Sequence, residues 1–417
     1  MWPGICRNSH ATKVDDANTE RLDIGCQRDE ARSSRCRPSG SSQRRTAVVE
    51  CHFEVAAFRS CQANPITSPI SGVSNRHDDA DRAPTLITFR QRMNINSVAP
   101  LIEQCTTTDG SRFKLDRAVA AFRQFGKNLH ADDIAHVTLQ RQAMRLSEQS
   151  VSAIAKRMDV EGYMHYQPAP DIRRALDIAK MRDVVVSLAR AKIPTVFAFV
   201  YDEFWLTYWE FHNVIKAALG QREFFLLPDF WVWHVDAKEG EAGWAIHRDA
   251  GARSLLSDRE TGAVSAWIPL VDVNTVTGCV MVVPKERDPD FGTDRVSQIT
   301  FDVRDIRALP GCAGDLMLWD QALLHWGSRG SVFSETPRIS MSIGIQVASL
   351  SPLNLPLLKP DVLPSVGLRL EMVAKQILQY SRHAAVAPEW CDVARVIFAS
   401  GLSGITYELP PDWRLST

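Results

Sequence analysis

Phe230-Trp231-Val232-Trp233-His234-Val235-Asp236 opens a series of short segments with a period of two. Val264-Ser265-Ala266-Trp267-Ile268-Pro269-Leu270, Cys279-Val280-Met281-Val282-Val283, Asp315-Leu316-Met317-Leu318-Trp319 and Ile339-Ser340-Met341-Ser342-Ile343-Gly344-Ile345 continue it, parted by turns rich in Gly, Pro and Asp. Segments of this length, rich in β-branched and aromatic residues and bounded by turn formers, read as strands. The last of them is the clearest: Ser340, Ser342 and Gly344 fall on one face, and Ile339, Met341, Ile343 and Ile345 on the other. Such a strand suits a barrel wall with its polar side inward and its apolar side under a helical layer.

Outward from the strands the pattern turns helical. Residues 132–158 are polar-rich and nearly free of Gly and Pro, with Ile134, Val137, Met144, Val151, Ile154 and Ala155 at helical spacings, which predicts a long surface helix. Asp171 after Pro170 reads as an N-cap for a helix that runs through Leu176, Ala179 and Val184 and stops before Pro194. Phe204, Tyr208 and Phe211, beside Trp205 and Trp209, form an aromatic helix that Gly220 can end. Beyond Pro352 helices are expected from about Gly367 through His383 and again near Val393. Helices followed by a run of short strands give an α+β chain with a β-sandwich or jelly-roll core. The expected regions are an N-terminal extension over 1–92, a helical layer over 93–223, the β core over 224–348 and a C-terminal helical extension over 349–417.

The extension differs in composition from the rest. It carries 13 Arg but one Lys, Lys13, and five of the nine Cys (Cys6, Cys26, Cys36, Cys51 and Cys61). It shows no hydrophobic period, and is expected to be disordered or to be translated sequence ahead of a start at Met93. Its cysteine spacings of 20, 10, 15 and 10 residues contain no close pair of the kind that binds zinc. It has no apolar segment of the secretory kind, and its acids at Asp15, Asp16, Glu20 and Asp23 argue against a transit peptide. The scattered Cys105, Cys279, Cys312 and Cys391 suit a reduced, cytoplasmic protein.

The 417 residues hold 48 Lys and Arg against 49 Asp and Glu, so no basic surplus argues for nucleic acid or an anionic membrane. The most apolar stretch, Val184 to Val200, is broken by Arg190, Lys192 and Pro194, so no membrane-spanning helix is expected. A small molecule is the expected partner, and composition leaves the oligomeric state open. Nucleotide-loop and nucleophile-elbow motifs are absent from the sequence.

Chemistry concentrates at His247-Arg248-Asp249 and, 78 residues later, at His325. Residues two apart in an extended segment project to one face, so His247 and Asp249 can grip one ion while His325 arrives from a distant strand. Two imidazoles and one carboxylate make the facial triad of non-haem Fe(II) oxygenases, with three adjacent positions left for a bidentate 2-oxo acid and O2. Arg338, 13 residues past His325, offers a planar fork for the far carboxylate of 2-oxoglutarate. A second His-x-Asp pair, His234 and Asp236, precedes the first and is read as a polar rim or as outer hydrogen-bonding partners. Trp231, Trp233, Trp244 and Trp326 fit either a pocket wall or packing, and no role is assigned to them.

These residues resemble the phytanoyl-CoA dioxygenase (PhyH) family of Fe(II)/2-oxoglutarate-dependent oxygenases. The likeness rests on His247-Arg248-Asp249, Trp267-Ile268-Pro269-Leu270-Val271-Asp272, Gly278-Cys279-Val280-Met281-Val282-Val283-Pro284, and Gly314-Asp315 leading to His325 and Arg338. It spans about residues 200–348, with weaker helical agreement back to about 113 and none over 1–92. The resemblance implies a double-stranded β-helix of the cupin-like, jelly-roll kind, with flanking N- and C-terminal helices. It makes His247, Asp249 and His325 the iron ligands and sets Arg338 on the distal carboxylate of 2-oxoglutarate. It also places Trp267 in the wall of the co-substrate pocket and Ser328 in hydrogen-bonding reach of the co-substrate. The implied reaction uses Fe(II), 2-oxoglutarate and O2, releases succinate and CO2, and hydroxylates a small-molecule substrate. Halogenating relatives replace the carboxylate ligand with a small residue, so Asp249 favours hydroxylation. Where the family reads Gly-Ser-His after the position of Pro284, this chain has Lys285-Glu286-Arg287-Asp288-Pro289, which weakens transfer of an acyl-CoA substrate. Two other classes of function share these residues. A cupin-like metal- or ligand-binding protein would keep the site without turnover, and a zinc hydrolase would use the triad without needing Arg338.

Overall fold

Among the described residues, eight strands pair antiparallel into two sheets. They are β1 (Tyr163–Tyr166), β2 (Phe224–Val235), β3 (Ala263–Pro269), β4 (Val280–Val282), β5 (Arg307–Leu309), β6 (Leu316–Asp320), β7 (His325–Gly327) and β8 (Arg338–Val347). The larger sheet runs in the order β1-β6-β3-β8-β2 and the smaller β5-β4-β7. This computed structural model describes residues 104–106, 112–131, 143–293, 301–381, 383–384 and 386–405. They all lie in the unit Phe53–Thr417. The expectations for 1–92 and for the start of a helix over 132–142 fall outside the described residues.

The period of two separates two environments. Ile339, Met341, Ile343 and Ile345 of β8, with Val264, Ala266 and Ile268 of β3 and Leu316 and Leu318 of β6, join the core under the helices. Trp267, Met317 and Trp319, on the other face, join a second cluster with Val280, Val282 and Leu309 of the smaller sheet. The two sheets therefore face each other across a cavity, as in a jelly roll, within an α+β chain. All ten residues of β8 are buried, so its polar face meets the cavity rather than water. The central pairing is β3 against β8, with Trp267 opposite Ser342 and Ser265 opposite Gly344.

The helices differ from their sequence expectation in their ends. The one expected over 132–158 is described as α2 (Glu148–Glu161), after α1 (Leu115–Phe125). Residues 143–147 are not helical, and the Ser147 hydroxyl accepts the Ser150 amide at 3.1 Å as the N-cap. Asp171 is not a cap: Ala169 takes that place, Pro170 is the first helical residue, and α3 (Pro170–Ala175) stops at Leu176. A separate α4 (Ile178–Arg190) follows. The aromatic helix also breaks, at Phe211, into α5 (Asp202–Glu210) and α6 (His212–Ala218). Gly220 then turns the chain with a φ of 64°, a conformation glycine adopts without strain.

At the C-terminal side the expected helices are α7 (Val366–Tyr380) and α8 (Pro388–Ala399), whose buried residues join the core. Arg369 of α7 is fully buried and ties that helix to the 3-10 helix Thr195–Val200 and to α5. Its guanidinium donates to the Pro364 carbonyl at 2.7 Å, to the Val200 carbonyl at 2.8 Å and to the Asp202 carboxylate.

β2 begins earlier than its sequence suggests, because its register shifts between Leu226 and Phe230. Pro228 within that interval has no N–H for the ladder, so a bulge is the expected result. Gln376 of α7 supplies the missing partners. Its side-chain oxygen accepts the Phe230 amide at 3.0 Å, and its nitrogen donates to the Pro228 carbonyl at 2.5 Å. The bulge leaves Asp229 in the cavity wall.

Candidate metal centre

His247 and His325 meet through their backbones. The His247 amide donates to the His325 carbonyl at 2.9 Å and the His325 amide to the His247 carbonyl at 3.0 Å. This two-way bridge extends the smaller sheet beyond β7 and sets the two imidazoles 4.3 Å apart between ring centroids. Asp249 follows in a bend rather than a regular strand, yet its side chain still reaches the same point. Its Oδ1 lies 3.2 Å from His247 Nε2 and 3.4 Å from His325 Nε2. One ligand atom from each of the three residues lies within 4.8 Å of the others, and no second such cluster occurs among the described residues.

Each donor is aimed by an outer hydrogen bond. His247 Nδ1 faces the Ala245 carbonyl at 2.7 Å and His325 Nδ1 the Leu323 carbonyl at 3.0 Å. A protonated Nδ1 on each ring leaves each Nε2 lone pair facing the centre. Asp249 Oδ2 accepts from Ser265 Oγ at 2.5 Å and from Trp319 Nε1 at 3.3 Å, which leaves Oδ1 for the centre. His247 Nε2 is buried and makes no hydrogen bond of good geometry. Burial opposes ionisation of Asp249, but the nearby His325 and hydrogen bonding to both imidazoles outweigh it and hold the carboxyl well below its usual range. For His247 burial works against the charged ring, and its contacts with Asp249 prevail and raise its pKa. A cluster whose proton affinities are set by mutual attraction is one a cation can take over. Two neutral imidazoles and one carboxylate, with open space on the cavity side, fit Fe(II).

Arg248, between His247 and Asp249, faces away from them. Its guanidinium is buried against Asp288, with contacts of 2.5 and 3.0 Å, and donates to the Ala322 carbonyl at 2.7 Å. Arg248 thereby ties the 247–249 segment to the end of the 3-10 helix Lys285–Arg287 and to the turn before β7. Asp288 lies in the segment that departs from the family pattern.

Arg338 begins β8, 3% exposed, on the same cavity wall. Its Nη1 donates to the Gly278 carbonyl at 2.9 Å, while its buried Nε has no hydrogen-bond partner. No carboxylate pairs with it among the described residues, and burial lowers its pKa to about 10. A cation removed from water without an acid partner favours an anionic ligand. Glycine makes the room: a Cβ at Gly243 would fall 2.6 Å from Arg338 Nη2, and one at Gly327 would fall 2.9 Å from Nη1.

Trp267 also lines this cavity, as do Trp231, Trp233, Trp244 and Trp326. Ser328 does not. Its hydroxyl donates to the Cys279 carbonyl at 2.7 Å, and it stands outside the cavity wall. His234 and Asp236 are not among the residues that line this cavity, and the Asp236 carboxylate accepts the Lys238 amide at 2.9 Å. Sequence reasoning missed Ser265, Arg248, Asp288, Asp229 and Tyr380. Only Arg248 carried a signal, as a charged residue held between His247 and Asp249.

Residues 141–331 match the family model for phytanoyl-CoA dioxygenase (PhyH). No match was found among curated proteins. Among solved structures, the non-heme alpha ketoglutarate dependent epimerase SnoN from nogalamycin biosynthesis is 18% identical, with 51% of this chain and 94% of that one covered at a TM-score of 0.35. EctD from S. alaskensis, solved with 2-oxoglutarate and 5-hydroxyectoine, is 14% identical over 54% of this chain and 86% of that one, with a TM-score of 0.35. The non-heme monooxygenase ThoJ is 14% identical over 54% of this chain and 99% of that one, with a TM-score of 0.36.

Proposed function

We propose that this chain, whose residues 141–331 match the phytanoyl-CoA dioxygenase family, is an Fe(II)- and 2-oxoglutarate-dependent dioxygenase that hydroxylates a small molecule. The overall change is R–H + O2 + 2-oxoglutarate → R–OH + succinate + CO2. The observation that carries it is a buried, acid-free Arg338 on the wall of the cavity where His247, Asp249 and His325 converge.

In this reading His247 Nε2, Asp249 Oδ1 and His325 Nε2 hold the iron, which when bound supplies the activation of O2 coupled to decarboxylation of the 2-oxo acid. Arg338 takes the distal carboxylate of 2-oxoglutarate and so fixes which end of that molecule reaches the centre. Trp267 forms the floor beside it. Ser265 and Trp319 keep Asp249 in one orientation, and Arg248 with Asp288 holds the ligand segment against the β7 turn. The enclosing tryptophans keep bulk water away from the reacting carbon.

The test is succinate formation by purified protein supplied with Fe(II), ascorbate and 2-oxoglutarate across a broad panel of metabolites. Succinate that depends on one added compound, and is lost in His247→Ala, supports the proposal. No succinate from folded, iron-loaded protein with any compound rejects it. A zinc hydrolase would keep its activity in Arg338→Ala, whereas the proposed enzyme loses most of its own.

A further inference from the structure

The β2 bulge sets Asp229 in the wall of the cavity that contains the metal cluster. Its half-buried carboxylate receives one hydrogen bond among the described residues, from the Tyr380 hydroxyl of α7. No ion pair reaches it among the described residues. The Lys375 ammonium acts on it through space, but is bonded to the Asn354 side-chain oxygen and to the Leu355 carbonyl. From Tyr380 a chain of aromatic contacts leads to the ligands. Trp244 packs against Tyr380 with centroids 4.9 Å apart and against His247 at 5.9 Å. Trp231 closes on Tyr380 at 5.6 Å and Trp233 on Trp244 at 5.3 Å. All of these rings border the cavity, whose enclosed space is small, about 70 Å³.

Two features of this wall select the same ligand charge. A carboxylate withdrawn from water favours a cation it can pair with. The faces of indole and phenol rings attract cations, most strongly when water is excluded. Packing alone explains clustered tryptophans, but gives no reason for an acid without an ion-pair partner among them. Arg338 supplies the opposite sign elsewhere in the same cavity, so an anionic co-substrate and a cationic substrate have separate attractive ends. We propose that the substrate is a compact organic ammonium compound whose positive head sits among Trp231, Trp244 and Tyr380 against Asp229, with its reacting carbon directed toward the metal cluster. This rests on the dioxygenase reading above. It adds the charge and size of the substrate and makes Asp229 a substrate-binding residue.

The test measures tryptophan fluorescence of the anaerobic Fe(II)- and 2-oxoglutarate-loaded protein during titration with matched probes. Choline is set against its uncharged isostere 3,3-dimethylbutan-1-ol, and benzylamine against benzyl alcohol. At least one cation should bind about tenfold tighter than its neutral partner, and Asp229→Asn should erase that preference. Trp244→Leu provides a second arm, in which the cation's affinity must fall further than the alcohol's. Equal or undetectable binding of every pair overturns the inference, as does a preference that survives in folded Asp229→Asn. The visible absorption of iron-chelated 2-oxoglutarate is recorded on the same wild-type samples. A band without cation preference sinks the substrate inference alone, and cation preference without a band sinks the dioxygenase reading and leaves the ammonium site standing.

Discussion

At Gly327 a single hydrogen atom decides whether Arg338 can lie flat on the cavity wall. A methyl group there would meet the guanidinium at 2.9 and 3.1 Å and the Gly243 backbone at 2.9 Å. Gly327→Ala is therefore expected to displace Arg338 and weaken 2-oxoglutarate binding by roughly tenfold or more, the scale of one charged hydrogen bond. Fe(II) binding should persist, because His325 is held by its backbone pairing with His247. Isothermal titration of the anaerobic iron protein separates the two, and equal loss of both ligands would show that the glycine serves only the fold. The convergence of His247, Asp249 and His325 was legible at this scale, and their role as metal ligands is the proposal. Asp229 was not legible, because an acid beside a proline reads as a turn, and its partner Tyr380 lies 151 residues away.

Among the elements, those with a long enough pattern could be read. β8 shows five alternations, and its two faces fall where the sequence puts them, one in the cavity and one under the helices. β5 and β7 have three residues each, too few to display a period, and are held by pairing with β4. The misplaced start of α2 has a similar cause: Met144 and Val151 keep helical spacing across a boundary that the Ser147 hydroxyl sets. Ser147→Ala should lower stability by about 1 kcal/mol in urea unfolding, the usual value of a hydroxyl cap. No change in midpoint would mean that packing alone fixes that helix start.

For the whole molecule, stability and function draw on different buried charges. Asp320, at the end of β6, is fully buried, and burial raises its carboxyl to about 6 from an ordinary 3.8. The folded chain therefore holds that proton more tightly than the unfolded chain between those values, so this contribution to stability is full below about pH 4 and is lost as pH rises through 6. Asp320→Asn, which mimics the protonated acid, should be more stable than wild type at pH 7.5, by at most about 3 kcal/mol, and should match it near pH 4. Thermal unfolding against pH checks this, and parallel curves for the two proteins would contradict it. Among the described residues, no helix is long and apolar enough to cross a membrane, in keeping with the interrupted apolar stretch seen in the sequence. The layered α+β order was legible because hydrophobic period changes from helical to two near Phe224, whereas the cavity's charge pattern needed the fold to join β2, β8 and α7. The proposed function gives that cavity one polarity, with a metal held by His247, Asp249 and His325 and a 2-oxo acid anchored by Arg338. The most direct measurement is anaerobic titration of the protein with Fe(II) and 2-oxoglutarate, following the weak visible charge-transfer band of the chelated acid. A band in wild type that vanishes in His247→Ala and weakens in Arg338→Ala is expected, and a folded, iron-replete wild type with no band would contradict the account.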